Sequence, residues 1–140
     1  MKKYLPFLFL FLFAAIFFQP FFIQGKLPIP ADTIVGLYHP FRDLYAQEYP
    51  RGIPFNNFLI TDPVRQQYPW RWLAVETEKT GELPLWNPYT MAGTPLLATL
   101  QGAVFYPLNI LLFFLPFSVG WSFLIFLQPD LGSALLYAFV

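Results

Sequence analysis

The side chains best suited to chemistry lie in the polar middle of the chain. Asp62 stands three residues before Arg65, and Asp32 and Arg71 flank them at greater distance along the sequence. A carboxylate can take a proton from a hydroxyl group, its oxygens can hold a divalent cation such as Mg²⁺ or Mn²⁺, and an arginine can meet the charge of a phosphate. Structural roles remain open for the same residues. Asp62 precedes Pro63 as a typical helix N-cap, and the two arginines are typical of a solvated helix face.

Residue counts exclude several other kinds of site. The chain has one histidine, His39, and no cysteine, which excludes a disulfide scaffold, thiolate zinc sites and a cysteine nucleophile. The three serines lie in the apolar C-terminal part, so a Ser-His-Asp hydrolase has no support. No glycine-rich phosphate loop with a Walker lysine occurs. Eight basic residues balance eight acidic ones without a basic stripe, so nucleic acid is not expected as a partner.

The overall composition is that of a membrane protein. Of the 140 residues, 56% are hydrophobic and only 11% are charged, whereas soluble proteins carry roughly 25% charged residues. Aromatic residues make up 21% of the chain. These proportions predict an α-helical integral membrane protein, because a backbone that crosses lipid must satisfy its own hydrogen bonds.

The first predicted domain, residues 1–25, is an N-terminal transmembrane anchor. Between Lys3 and Lys26 lie 22 uncharged residues, and about 20 apolar residues suffice to cross the hydrocarbon core. Lys2 and Lys3 favour a cytoplasmic N-terminus. The alternative is a cleaved signal peptide with the same lysines as its n-region, although a cut after Gly25 would place Ile23 at the −3 position, where small residues are preferred.

The remainder divides into a loop and a second membrane segment. Residues 26–106 are predicted to form a large extracytoplasmic loop with short amphipathic helices, and residues 107–116 an interfacial helix. Residues 117–140 are predicted to form a second transmembrane segment, with Asp130 near its middle. A carboxylate there costs about 2.5–3.5 kcal/mol, which predicts a protein partner or a water-filled cavity. Because the sequence stops within this apolar segment, we expect the chain to be the N-terminal part of a longer polytopic protein.

Within the loop, one helix is strongly indicated. It is predicted to begin at Asp62-Pro63 and to end at Gly81, with a kink or a division into two shorter helices at Pro69. Four apolar residues fall on one face at helical spacing: Val64, Tyr68, Trp72 and Val75. With Trp70 and Trp72, the helix is predicted to lie along the membrane surface. A shorter helix is predicted from Asp32 towards Tyr38.

Several motifs in and after this helix resemble a known family. They are Asp62-Pro63 with Tyr68-Pro69-Trp70, the run Gly81-Glu82-Leu83-Pro84-Leu85-Trp86-Asn87-Pro88-Tyr89, Gly93-Thr94-Pro95-Leu96-Leu97-Ala98, and Phe105-Tyr106-Pro107-Leu108-Asn109. From about residue 27 to 140, the chain resembles the YfhO-like bacterial membrane proteins of the GT-C class of polytopic glycosyltransferases.

The resemblance implies a multi-pass protein of the bacterial cytoplasmic membrane, with a cytoplasmic N-terminus and a GT-C-like fold. It further implies a hexosyltransferase-like activity, expressed only by the full-length protein, that moves a sugar from a polyprenyl-phosphate donor to a cell-envelope glycan, lipid or teichoic acid. The acidic residue that acts as base or holds a divalent cation in the class is matched by Asp62, with Asp32 second. The loop has no Asp-x-Asp or Glu-x-Asp pair, so the metal remains open.

Five further residues are the candidates for substrate binding. The two for the donor phosphate are Arg65 and Arg71, and those for the sugar or the prenyl chain are Trp86, Asn87 and Tyr89, although packing is the commoner role of aromatic residues. An alternative function also stays open. The chain would then be a non-catalytic membrane module that binds envelope glycan or a partner membrane subunit.

Overall fold

The computed structural model of this chain describes residues 4–54 and 59–127, which form a mostly helical fold. The helices are α1 (Leu5–Phe17), α2 (Gln19–Gln24), α3 (Asp32–Leu37), α4 (Phe41–Leu44), α5 (Tyr68–Lys79), α6 (Ile110–Phe114) and α7 (Phe117–Phe126). A π-helical turn (Pro63–Gln67) leads directly into α5, and 3₁₀ turns cover Leu97–Thr99 and Pro107–Asn109. Two short antiparallel strands, β1 (Trp86–Asn87) and β2 (Thr94–Pro95), form a hairpin.

The prediction of an integral membrane fold with two spanning helices is wrong. Across residues 4–54 and 59–127, no helix is both long and apolar enough to cross a membrane. The longest apolar helix, α1, has 13 residues and α7 has 10, which correspond to about 20 Å and 15 Å of the roughly 30 Å needed. Of the predicted second span, residues 128–140 with Asp130 lie outside the described residues.

The predicted N-terminal span is divided because of Pro20. Proline lacks a backbone N–H and its ring collides with the carbonyl four residues earlier, so the helix cannot run through it. α1 ends at Phe17, Phe18 leaves the helical conformation, and α2 restarts with Pro20 in its first turn, where no N–H is needed. Gly25 then ends α2 in a left-handed conformation. Residues 4–25 are therefore uncharged throughout but form two helices rather than one.

The helix predicted from Asp62-Pro63 to Gly81 is confirmed at both ends. Helical structure begins at Pro63 and continues to Lys79. At the C-terminus, Gly81 has φ of 83° and donates its N–H to the Glu78 carbonyl at 2.9 Å, while the Glu82 N–H reaches the Thr77 carbonyl at 3.4 Å. This is the Schellman arrangement.

The same helix differs from the prediction in three details. Asp62 occupies the N-cap position, but its side chain makes no capping hydrogen bond. Instead of a kink at Pro69, a π-helical turn precedes α5, and Pro69 lies in the first turn of α5, where its missing N–H is not needed. Trp72, predicted to share one apolar face with Val75, is 45% exposed, whereas Val75 is fully buried.

Helix α7 joins the two parts of the hydrophobic core. Trp121 and Ile125 pack with Phe18, and partly buried side chains including Tyr68 cover them; we call this group the Trp121 cluster. Leu124, on another side of α7, packs with Val75 of α5 and Leu112 of α6. The junction of α1 and α2, the long helix α5 and the C-terminal helices are therefore held by one element.

The hairpin is held by a buried amide and a glycine. The Asn87 side chain donates to the Thr90 hydroxyl at 2.9 Å and accepts the Tyr89 N–H at 2.9 Å. Gly93 has φ of 108°, and a Cβ built there would lie 2.4 Å from Nε1 of the Trp86 ring. The Trp86 indole therefore lies directly on the backbone of Gly93, where only glycine fits.

We expect Gly93→Ala to lower the free energy of unfolding by about 2–3 kcal/mol, because the new methyl group adds overpacking to an unfavourable φ. Equilibrium urea unfolding followed by circular dichroism measures the change. The matched control is Gly81→Ala, which also has a positive φ but has nothing within 4 Å of the added Cβ. It should cost only about 1 kcal/mol. Equal losses in the two variants would contradict the contact with Trp86.

Candidate functional site

The predicted base, Asp62, and the predicted phosphate-binding residue, Arg65, both lie at the start of the long helix and are open to solvent. Asp62 is the exposed residue immediately before the π-helical turn. Arg65 lies within that turn, and its guanidinium carbon is 5.8 Å from the centre of the Tyr38 ring. A cation over an aromatic face is attracted to it, so this contact holds the start of the helix against the end of α3.

Asp32, the second predicted acidic residue, lies at the other end of α3. It is partly buried, and its Oδ1 accepts the N–H of Thr33 at 2.9 Å. The Thr33 hydroxyl is buried and donates to the Pro30 carbonyl at 2.7 Å. The Asp32 carboxylate is therefore engaged locally at the beginning of its helix, whereas that of Asp62 makes no cap bond.

In the described part of the chain, the predicted cation ligands Asp62 and Asp32 are not joined by further ligands into a metal site. No group of three or more histidine, aspartate or glutamate side chains there is placed to hold a metal ion. His39 Nδ1 lies 2.6 Å from Asp43 Oδ2, and both side chains are exposed. The carboxylates of Asp62 and Asp32 would need oxygen ligands from elsewhere to hold Mg²⁺ or Mn²⁺.

Arg71, the other predicted phosphate-binding residue, has different surroundings from the exposed Arg65. It is partly buried, with its guanidinium carbon 5.9 Å from the centre of the Tyr106 ring and 5.5 Å from that of Trp121. It therefore packs against the Trp121 cluster rather than on the solvated face with Arg65. Position alone along the helix did not reveal this difference, because both aromatic partners come from distant parts of the sequence.

Three predicted substrate-binding residues share the hairpin but differ in exposure. Trp86 is 55% exposed and Tyr89 is 81% exposed, so both rings are accessible. Asn87 is buried, and both ends of its amide are used within the turn. The hairpin therefore leaves the Trp86 and Tyr89 rings open to solvent, while Asn87 holds its shape.

Sequence reasoning missed an open groove of about 420 Å³ between the end of α5 and the segment leading into α6. Glu78 lines it, and burial raises the pKa of this carboxyl above its ordinary value. Asn109 also lines it and is only 3% exposed. A sequence signal existed for Glu78, since Arg71, Val75 and Glu78 follow one another at helical spacing on a single face of α5.

Comparison of the chain with protein-family models, with curated proteins and with solved structures found no match. The resemblance to YfhO-like proteins therefore stays a prediction from the motifs quoted above. The fold and the contacts of the described residues are the observations from which a function is inferred.

Proposed function

We propose that this chain is part of a membrane-bound bacterial glycosyltransferase, which moves a sugar from a polyprenyl-phosphate donor to a cell-envelope acceptor. The observation that carries the proposal is an exposed carboxylate, Asp62, three residues before the exposed Arg65. Both lie at the start of a helix whose Tyr68 packs on the Trp121 cluster, and that cluster also contains Phe18 at the end of the apolar helix α1. The site of action is the cytoplasmic membrane, with membrane lipid and the lipid-linked donor as partners.

Attachment to lipid is supported by the surface of α1. Not one side chain of Leu5–Phe17 is buried, although nine of the 13 residues are leucine or phenylalanine and none is charged. A helix that is apolar all round belongs in protein or lipid interior. Lipid is favoured because Lys2 and Lys3 precede the helix and would meet anionic headgroups, each contributing about 1 kcal/mol. The helix enters the bilayer in this proposal without crossing it.

The position of Asp62 relative to α1 suits a lipid-linked donor. Phe18, at the end of α1, packs against Trp121, and the Tyr68 ring meets Trp121 edge-on with centroids 5.2 Å apart. Tyr68 follows the π-helical turn that Asp62 precedes. The start of this helix is therefore attached to the end of the lipid-bound helix. The phosphate of a prenyl-linked sugar lies at the membrane surface, within reach of such a position.

The proposed step is an inverting sugar transfer. The Asp62 carboxylate takes the proton of the acceptor hydroxyl while that oxygen forms a bond to the anomeric carbon. The bond from the anomeric carbon to the donor phosphate breaks, and its electron pair leaves with the phosphate. Arg65 meets the charge that develops there. Asp32 is the weaker candidate for the base because its Oδ1 already accepts a backbone N–H.

Asp62→Asn tests this assignment in the protein expressed from its complete gene. We expect transfer of labelled sugar from polyprenyl phosphate to the envelope fraction to fall by at least about 100-fold, as for loss of a general base. Membrane association should be retained. The control is Asp43→Asn, which removes another exposed carboxylate, the one paired with His39. Full transfer activity in the Asp62 variant would rule out Asp62 as the base.

A second candidate function, a non-catalytic module that binds envelope glycan, is favoured by the hairpin. Trp86 is held on the Gly93 backbone while more than half of it remains exposed, and Tyr89 is exposed nearby. Rigid exposed aromatic rings are effective binding surfaces. Under this alternative, Trp86→Ala lowers retention on purified envelope glycan while Asp62→Asn leaves it unchanged.

A further inference from the structure

We propose that the groove between α5 and α6 binds a small organic ammonium ion that carries an apolar body. This site is separate from Asp62 and from the hairpin, and the proposal does not depend on sugar transfer. Its volume of about 420 Å³ lies within the range of small-molecule sites. The lining residues that carry the argument are Glu78, Phe105, Tyr106, Asn109, Ile110 and Phe113.

The charge of the ligand follows from Glu78. Among the described residues that line the groove, it is the only ionic side chain, since the others are apolar, aromatic or amide. Among residues 4–54 and 59–127, no ion pair to Glu78 is formed, whereas Glu76 on the same helix pairs with Lys79 at 2.8 Å. Burial disfavours the charged carboxylate, and this cost is offset when a cation binds beside it. Arg71 contacts Tyr106 but does not line the groove.

The hydrogen-bonding character of the ligand follows from Asn109. Its amide nitrogen donates to the Ala103 carbonyl at 2.6 Å, which leaves the amide oxygen as an acceptor. That oxygen is buried and receives no hydrogen bond within the described part of the chain. Glu78 and Asn109 therefore both require donors. A primary ammonium group supplies three N–H donors and a positive charge in one small unit.

The apolar body follows from the remaining walls. Phe105, Tyr106 and Phe113 contribute rings, and Ile110 contributes a branched aliphatic side chain. Such a lining recovers free energy by covering aromatic or branched hydrocarbon. A ligand whose only charged group is a carboxylate or a phosphate is disfavoured, because it would face Glu78 with like charge. The combination selects a cation with a compact hydrophobic group.

Titration calorimetry of the full chain in a zwitterionic detergent provides the test. The probes are phenethylammonium, its neutral counterpart 2-phenylethanol, and 3-phenylpropanoate. We expect phenethylammonium to bind about tenfold or more tightly than the alcohol, as a charge-assisted hydrogen bond provides, and the carboxylate not to bind. Glu78→Gln should bring the two affinities together. Glu76→Gln, the matched control on the same helix, should leave the preference intact.

Two results would overturn the proposal: equal affinity for phenethylammonium and 2-phenylethanol in the unaltered protein, or an unchanged preference in Glu78→Gln. A second variant, Ile110→Trp, fills the groove from a residue that is 59% exposed, so the fold should tolerate it. It should weaken the binding of both probes, and undiminished binding would place the probe elsewhere and overturn the site.

Competition with lipids then identifies the source of the ammonium group. Displacement of the bound probe by short-chain phosphatidylethanolamine but not by phosphatidylcholine supports a lipid headgroup. Displacement by neither supports a free amine.

Discussion

Trp121→Ala is expected to lower the free energy of unfolding by about 3–5 kcal/mol, the range found for the loss of a buried tryptophan or phenylalanine. Trp121 is 1% exposed and packs with Phe18 and Ile125 in the Trp121 cluster. Its ring also meets Tyr68 edge-on and lies against the Arg71 guanidinium. Its removal would leave a cavity where three parts of the fold meet. The loss is a large share of the 5–15 kcal/mol that stabilises typical domains.

Urea unfolding at equilibrium measures this effect, with Trp72→Ala as the control. Trp72 is 45% exposed, so its truncation removes a similar side chain without opening a buried cavity. We expect it to cost about 1 kcal/mol or less, in line with substitutions on the surface. Comparable losses in the two variants would show that Trp121 is not the centre of the core.

The double variant Phe9→Lys with Leu12→Lys is expected to reduce partition into lipid vesicles by about 10⁴-fold. Each lysine placed in the hydrocarbon costs about 3 kcal/mol relative to an apolar residue, and two such costs give this factor. Both replaced side chains are exposed on α1. The measurement is flotation of the chain with vesicles of anionic and zwitterionic lipids on a density gradient.

The control for lipid binding is Leu83→Lys, which replaces another exposed leucine, outside α1. It should leave partition within a few-fold of the unaltered chain. Undiminished flotation of the double variant would mean that α1 does not enter lipid, and the proposed membrane attachment would fail. The fold tested by Trp121→Ala and the ammonium site would be unaffected by that result.

The helix from Pro63 to Lys79 shows what local sequence is able to predict. Proline at the first helical position and glycine after the last act through backbone geometry within a few residues, so both ends were predictable. The N-terminal segment shows the limit of the same approach. Composition shows that residues 4–25 are largely apolar. A count of apolar residues cannot show that the helix is interrupted before Pro20 or that Phe18 packs in the core.

The residues of the candidate site also differ in how far local sequence could predict their surroundings. Asp62 and Arg65 are neighbours on one helix, and their exposure at its start is a local property that the sequence indicated. Arg71 and Glu78 follow on that helix, yet their surroundings come from Tyr106, Trp121 and the segment before α6. Such partners are distant in sequence, and only packing decides which of them meet.

By itself, the sequence determined the apolar character of the chain, the limits of its longest loop helix, and the lack of any thiol or disulfide, because each depends on residue type or on contacts within one turn. The tertiary structure alone decided that Arg71 packs against Tyr106 and Trp121 and that Glu78 faces a groove with Asn109. These outcomes depend on which distant side chains share a limited interior, and close packing admits few such arrangements.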